Sequence, residues 1–366
     1  MHRENIVTEG VSFFLGANTP QGFYSLFSEL VSPRAGWRLI IIKGGPGTGK
    51  STLMKRVAAE ADKRGLYCER IYCSSDPRSL DGVIIPSLRV SIADGTSPHV
   101  LEPKYPGVCE TIADLGAFRN DRKLREHREE ILRLTDENKE KHAQCTRFLH
   151  AAGCAAADLA KIAADALELE KLERFVSRLS ERSFGVGAGE AGPSQRRFLS
   201  ALTPEGIRVF YETAEALCEK KIVLHDEIGL ASSMLVEGLA AGAEENGYRV
   251  IRCLCPLAPD AKTEHLLLPE LSLGVFTSNR RHPFRDDAAA NVQCGRFLSK
   301  NEIGMHKNRL RFTSRARDEM LAEALVRLRE AKELHDELER YYVDAMDFAA
   351  VRDYTEKLLR EIFEEA

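Results

Sequence analysis

Residues 44–51 read Gly-Gly-Pro-Gly-Thr-Gly-Lys-Ser, the spacing GxxxxGK[ST]. Each residue type in it has a chemical reason. Glycines let the backbone wrap closely around a phosphate with amide groups pointing inward. A lysine at position 50 can reach the β- and γ-phosphates of a nucleoside triphosphate, and the Ser51 hydroxyl can ligate Mg²⁺. Gly45, Pro46, Gly47, Thr48, Gly49, Lys50, Ser51 and Thr52 are therefore the expected nucleotide-binding residues. Such a site also needs an acid at a second strand end to hold the metal. Asp94, closing the alternating run Leu88–Asp94, is the first candidate, so Ser51 and Asp94 are the expected metal ligands. Asp76 and Asp81 are rivals, in the loop after the expected strand Cys68–Cys73 where α/β sheets place ligands. Lys50, Asp94, Asp76 and Asp81 form the expected catalytic set. No NKxD guanine-reading signature follows, which favours ATP over GTP.

The elements around the loop fit that role. Arg-Leu-Ile-Ile-Ile-Lys at 38–43 is a short β-branched run that suits a buried parallel strand. A helical pattern begins near Gly49 and turns its positive end toward the same anion.

The chain then repeats itself. FLGANTPQGF at 14–23 and FLSALTPEGI at 198–207 share six of ten residues. Ile40-Ile41-Ile42 aligns with Ile222-Val223-Leu224, and Gly47, Ser51 and Leu53 with Gly229, Ser233 and Leu235. In this alignment Gly44 and Gly45 become Asp226 and Glu227, and Gly49 and Lys50 become Ala231 and Ser232. Asp76, Asp81 and Asp94 fall opposite Ala258, Thr263 and Thr277. Two carboxylates would lie where phosphate should sit, at roughly 1 kcal/mol per like-charge contact in water and ~4 nearer the interior. The second copy is expected to be nucleotide-free. Thr19-Pro20 and Thr203-Pro204, kept in both copies, read as helix starts with Thr as cap. His99 and His282, also kept, read as structural.

The expected fold is α/β, with tandem duplicated P-loop NTPase-type domains, each a mostly parallel sheet with an appended antiparallel helical hairpin. The first domain spans 1–184 with its hairpin at about 120–180. A Gly-rich linker covers 185–195, and the degenerate copy 196–366 has its hairpin at about 313–365. Within the first hairpin, one helix is expected over Arg122–Leu149 and a second, Ala-rich one after Gly153. The stretches around His142 and His335 read as equivalent. Between Arg280 and Arg317 ten basic residues stand against three acids. That run is a candidate cationic surface for a nucleotide, a phosphorylated partner or nucleic acid, and Arg280 or Arg281 could act as an arginine finger in trans.

A net charge of −4 gives no global reason for nucleic-acid binding, and no apolar run is long enough to span a membrane. Nine scattered cysteines without paired CxxC knuckles read as free thiols of a cytoplasmic protein, not as a zinc site.

The segments FFLGANTPQGFYSLF, IIIKGGPGTGKSTLMKRVA, CSSDPRSLDGVIIPSLRVSIADGTSPHVLEPKYPG and RRFLSALTPEG together resemble an uncharacterised family of bacterial tandem P-loop ATP-binding proteins, loosely called ATPases. The resemblance implies ATP binding and a duplicated architecture. In such proteins the second copy can carry its own GxPGTGKS, which this chain lacks. The expected function is Mg²⁺-dependent ATP binding and hydrolysis at one site in the first domain. The alternatives are a kinase holding a small molecule near Ser74–Gly82, and an ATP-controlled switch whose hairpins bind a protein partner.

Overall fold

The computed structural model describes residues 10–30, 35–184, 190–286 and 289–364. In chain order the first half builds β1 (Val11–Phe13), β2 (Gly16–Thr19), β3 (Gly22–Ser25), β4 (Arg38–Lys43), α1 (Lys50–Lys63), β5 (Glu69–Tyr72), β6 (Leu80–Ile85), β7 (Val90–Asp94), β8 (Glu110–Asp114), α2 (Asp121–Glu126), α3 (Arg128–Asp165) and α4 (Leu169–Ser183). The second half repeats the order. It has β9 (Ser194–Arg197), β10 (Ser200–Thr203), β11 (Gly206–Val209), α5 (Tyr211–Leu217), β12 (Lys220–His225), α6 (Leu230–Glu245), β13 (Val250–Leu254), β14 (Thr263–Leu268), β15 (Leu273–Ser278), β16 (Ala290–Gln293), α7 (Lys300–Met305), α8 (Lys307–Asp344) and α9 (Phe348–Phe363).

Each half carries a six-stranded mixed sheet of the same order, β1-β5-β6-β7-β4-β8 and its mirror listing β16-β12-β15-β14-β13-β9. Only β6 and β14 run antiparallel to their neighbours, so each sheet is mostly parallel. The isoleucine-rich β4 lies between β7 and β8, parallel to both, which is where its near-continuous apolar pattern belongs. Helix α1 lays Leu53, Met54, Val57, Ala58 and Ala61 into the core.

The two halves meet about an approximate two-fold. Phe14 and Phe198 exchange backbone hydrogen bonds of 2.9 and 3.0 Å, and Phe13, Phe27, Phe210 and Phe276 join them in one shared core. A buried ion pair crosses the same junction, Arg197 to Glu69 at 3.0 Å. The TPxG segments are not helix starts. They are tight turns joining β2 to β3 and β10 to β11, with the Thr19 hydroxyl donating to Gly22 O at 2.7 Å and Thr203 to Gly206 O at 2.8 Å.

The helical segments differ most from expectation. α3 is one 38-residue helix that runs through Gly153, and the chain turns at 166–168 instead. Gly153 is a close-approach residue: a Cβ there would lie 2.9 Å from the Pro20 ring. α8 has the same length, start corresponds to start, and so His142 is equivalent to Leu321, not to His335. The antiparallel partner of α3 is α8, not α4. Asn138 donates to Ala331 O at 2.6 Å, Lys141 meets Glu330 at 2.8 Å, and Arg309 pairs with Asp158 toward the other end.

The terminal helices are exchanged between halves. α4 sets Leu172, Phe175, Val176 and Leu179 against the second sheet's helix α6. α9 sets Val351, Leu358 and Ile362 into the first core beside α1. The turn after each long helix is stitched to the opposite half, Asn120 N to Ala345 O and Ser299 N to Ala166 O, both at 2.8 Å. Of the Gly-rich linker, 185–189 lie outside the described residues, and its last two residues, Ser194 and Gln195, open β9, which pairs with β13.

This exchange predicts crossed effects of core truncation. Leu358→Ala should cost about 2–5 kcal/mol, as deletion of a buried leucine does. In hydrogen exchange it should loosen α1 of the first half before α6. Leu172→Ala should do the reverse. Loss of protection confined to each variant's own half would contradict the exchange.

Candidate functional site

The site is built where β4 ends. Residues 44–49 form the loop, and Gly44, Gly47 and Gly49 have φ of 152°, 66° and 92°. Positive φ is the region glycine enters without strain. Gly44 has a second reason, since a Cβ there would lie 2.6 Å from the Thr48 hydroxyl. Thr48 closes the loop by donating to Gly45 O at 2.9 Å. The Lys50 ammonium folds back over it, donating to Gly44 O at 3.0 Å and Gly45 O at 2.6 Å.

Because β7 pairs with β4 in register Ile42 to Asp94, the Asp94 carboxylate emerges beside the loop, 3.7 Å from Lys50 Nζ. Its other oxygen accepts from Thr96 N at 2.8 Å and the Thr96 hydroxyl at 2.6 Å. Ser51 follows in the first helical turn, its Oγ accepting from Leu80 N at 3.0 Å. Thr52 is exposed, while Gly45 and Pro46 are partly exposed.

The backbone amides of Gly47, Gly49, Lys50 and Ser51 find no acceptor among the described residues. The second half treats the corresponding loop differently. Asp226, at the position of Gly44, is buried and turns its carboxylate into the loop. It accepts from Ile228 N at 3.1 Å, Gly229 N at 2.8 Å and Ser232 N at 2.9 Å. The chain's own carboxylate thus fills this turn. Of the two carboxylates expected in this turn only Asp226 occupies it, because Glu227 turns away to Arg280, 3.5 Å from its guanidinium.

The other acids separate. Asp76 forms a local turn, accepting from the Ser79 hydroxyl at 2.8 Å, and lies 3.8 Å from Lys332 of α8. Asp81 is buried with its Oδ2 3.0 Å from His99 Nε2. Burial works against a charged His99, but the Asp81 carboxylate outweighs it and holds the imidazole pKa above its ordinary value. The strand ends show that β6 and β14 start at Leu80 and Thr263, so Asp81 corresponds to Glu264, not to Thr263. Glu264 repeats the contact, 2.9 Å from His282. The second half therefore keeps this acid–histidine pair and has lost the counterparts of Asp76 and Asp94.

Cys73, Asp81 and His99 bring their ligand atoms within 4.8 Å of one another, the one such trio among the described residues. Its members come from separate segments of the chain, so no CxxC-type spacing announces it. Burial, reinforced by Asp81, pushes the Cys73 thiol well above its ordinary pKa, which opposes the thiolate a metal would need. Cys255, Glu264 and His282 stand at the corresponding positions of the other half. All nine cysteines are free.

Sequence reasoning missed what lies over the loop. The second half's long helix lies on it: a Cβ on Gly45 would fall 2.7 Å from the Tyr342 ring, and one on Gly47 2.8 Å from Glu339 and Val343. No spacing rule connects positions so distant in the chain. The expected finger residues go elsewhere, Arg280 to Glu227 and Arg281 to Asp318 at 3.7 Å, both within the second half. Other residues of the basic run 280–317 are engaged as well. Arg309 pairs with Asp158, Arg315 with Glu319 and Arg317 with Asp318, while Arg296 lies over Phe175 and Phe297.

No family model, curated protein or solved structure matches the chain. No helix among the described residues is long and apolar enough to cross a membrane.

Asp226→Ala should leave two buried amides, Gly229 and Ser232, and the part-buried Ile228 amide without their acceptor, and destabilise the fold by about 1–3 kcal/mol per buried orphaned group at most. Urea unfolding checks this, and an unchanged midpoint would show that the carboxylate does not hold the loop.

Proposed function

We propose that the first half is a P-loop NTPase-type domain that binds Mg²⁺-ATP and hydrolyses it, and that the second is a degenerate copy without nucleotide. The observation that carries this reading is the contrast between the two loops. One anion-cradling turn is satisfied internally by Asp226, and its twin, with glycine at that place, offers its amides and a lysine to an anion from outside.

The residues present suit such a ligand. The amides of Gly47, Gly49, Lys50 and Ser51 would bind phosphate oxygens. Lys50 would exchange the two loop carbonyls for the β- and γ-phosphates and neutralise charge on the transferring group. Ser51 and Asp94 are the oxygen donors that would hold Mg²⁺, whose contribution when bound is charge neutralisation. Asp76, beside Lys332, or Asp81, beside His99, would position the attacking water. The absence of a guanine-reading motif supports ATP as the nucleotide.

A switch role has its own supporting observation. Glu339, Tyr342 and Val343 lie against the loop, on the helix that pairs with α3 along its length. Rearrangement of the loop around a ligand would be felt by both long helices. The turnover measurement separates the two roles: Lys50→Ala should reduce ATP hydrolysis by roughly 10²–10³-fold, the scale for removing one preorganised transition-state donor. Undiminished turnover would refute the assignment, whereas tight ATP binding with negligible wild-type turnover would favour the switch.

A further inference from the structure

A cavity of about 390 Å³ opens in the second half, between the turn at Ile228–Leu230 and the long helices. Its size is in the range of sites for small organic molecules. Helix α3 lines it with Gly153, Ala156, Ala157 and Ala160. The corresponding positions of α8, over the first half, are Lys332, His335, Asp336 and Glu339. The same place is thus kept open by small residues on one side of the molecule and occupied by long polar ones on the other.

The cavity is apolar along one wall and cationic at one end. Leu202, Ile207 and Leu257 continue the alanine wall, and Lys262, Arg281 and Arg317 supply the charge. Lys262 lies 3.4 Å from Glu264, which offsets it. The two arginines share a single carboxylate oxygen, Asp318 Oδ1, at 3.7 Å from Arg281 and 3.0 Å from Arg317. Asp318 is half exposed, while Arg317 is 4% exposed. Arg281 Nη1 is buried with no hydrogen-bond partner among the described residues. Burial, and then the neighbouring Arg317 guanidinium, press Arg281 below its ordinary pKa. One guanidinium charge is left in excess, with an unfilled donor.

We propose that this cavity binds a small organic monoanion, a carboxylic acid with an apolar body, its carboxylate taken by Arg281 and Arg317 and its body by the alanine wall. A planar guanidinium matches a carboxylate in two parallel hydrogen bonds. The single excess charge favours a monoanion over a phosphate dianion, which Glu264 would also repel. The site is independent of the nucleotide reading, because none of the 44–51 residues lines it.

Calorimetric titration of the full chain with 2-naphthoate, 2-naphthamide and 2-naphthyl phosphate tests this. Naphthoate should bind saturably, one per chain, and more tightly than either analogue. The amide should bind about tenfold more weakly, the loss expected for one hydrogen bond to a charged group. Ala156→Phe should abolish binding by filling the cavity, and Arg281→Gln should erase the preference for acid over amide. Lys50→Ala should leave naphthoate binding intact, which separates this site from the nucleotide site. Absence of saturable naphthoate binding, equal affinity for the amide, tighter binding of the phosphate, or binding that survives both cavity variants would overturn the proposal. Should Ala156→Phe not fold, Arg281→Gln carries the test alone.

Discussion

Backbone amides at the start of a helix must find an acceptor, and this molecule is organised around that requirement at two places. In both sheets the strand next to the edge, β4 and β12, runs into a turn at the start of a helix, where amides need an acceptor. In the second half, Asp226 meets the demand from within and the turn is closed for good. In the first, Gly44 has no side chain to offer, and Lys50 leans on the Gly44 and Gly45 carbonyls while the amides stay open. Position 44 against 226 is where the two turns differ in having a side chain that can accept from the turn's own amides.

The exchange of helices explains why a closed copy is worth keeping. α9 of the second half completes the core under α1, and Tyr342 and Glu339 of α8 lie on the open loop. The first lobe is therefore not a separable domain with an idle neighbour. Its helix packing, its loop and the cation beside Asp76 all come in part from the other half. In return α4 completes the core of the second lobe and α3 walls its cavity. The Arg197–Glu69 pair and the Phe14–Phe198 hydrogen bonds hold the two sheets in the register that lets both exchanges close. Breaking one partner of such a buried pair leaves an uncompensated charge, so the junction resists separation.

Much of this was legible in the sequence, for definable reasons. The β-branched run, the glycines and the following helix fix β4, the loop and α1, because local sterics decide those conformations. The repeat fixes the second sheet once the first is read. The apolar faces of the long helices were also visible: Leu321, Ala324, Leu328 and Ala331 are all buried. Their partner was not, since a period of 3.6 marks a buried stripe without saying what covers it. Gly153 read as a break because helical glycine is costly, yet it serves a contact with Pro20 that only the folded chain reveals. The pairing of Asp81 with Glu264 was obscured by a one-residue insertion between the irregular strand ends at Tyr72 and Leu254 and the strands that follow. That Asp226 is held by the amides of its own turn was not legible, because backbone amides do not appear in a sequence.

The most direct measurement is the stoichiometry of ATP binding in the presence of Mg²⁺, by calorimetry on the wild-type chain and on Gly44→Asp. If an open and a closed copy of one anion-binding turn underlie this molecule, the wild type binds one ATP per chain and Gly44→Asp binds none. Two equivalent sites per chain, or one site indifferent to an aspartate at position 44, would contradict the account.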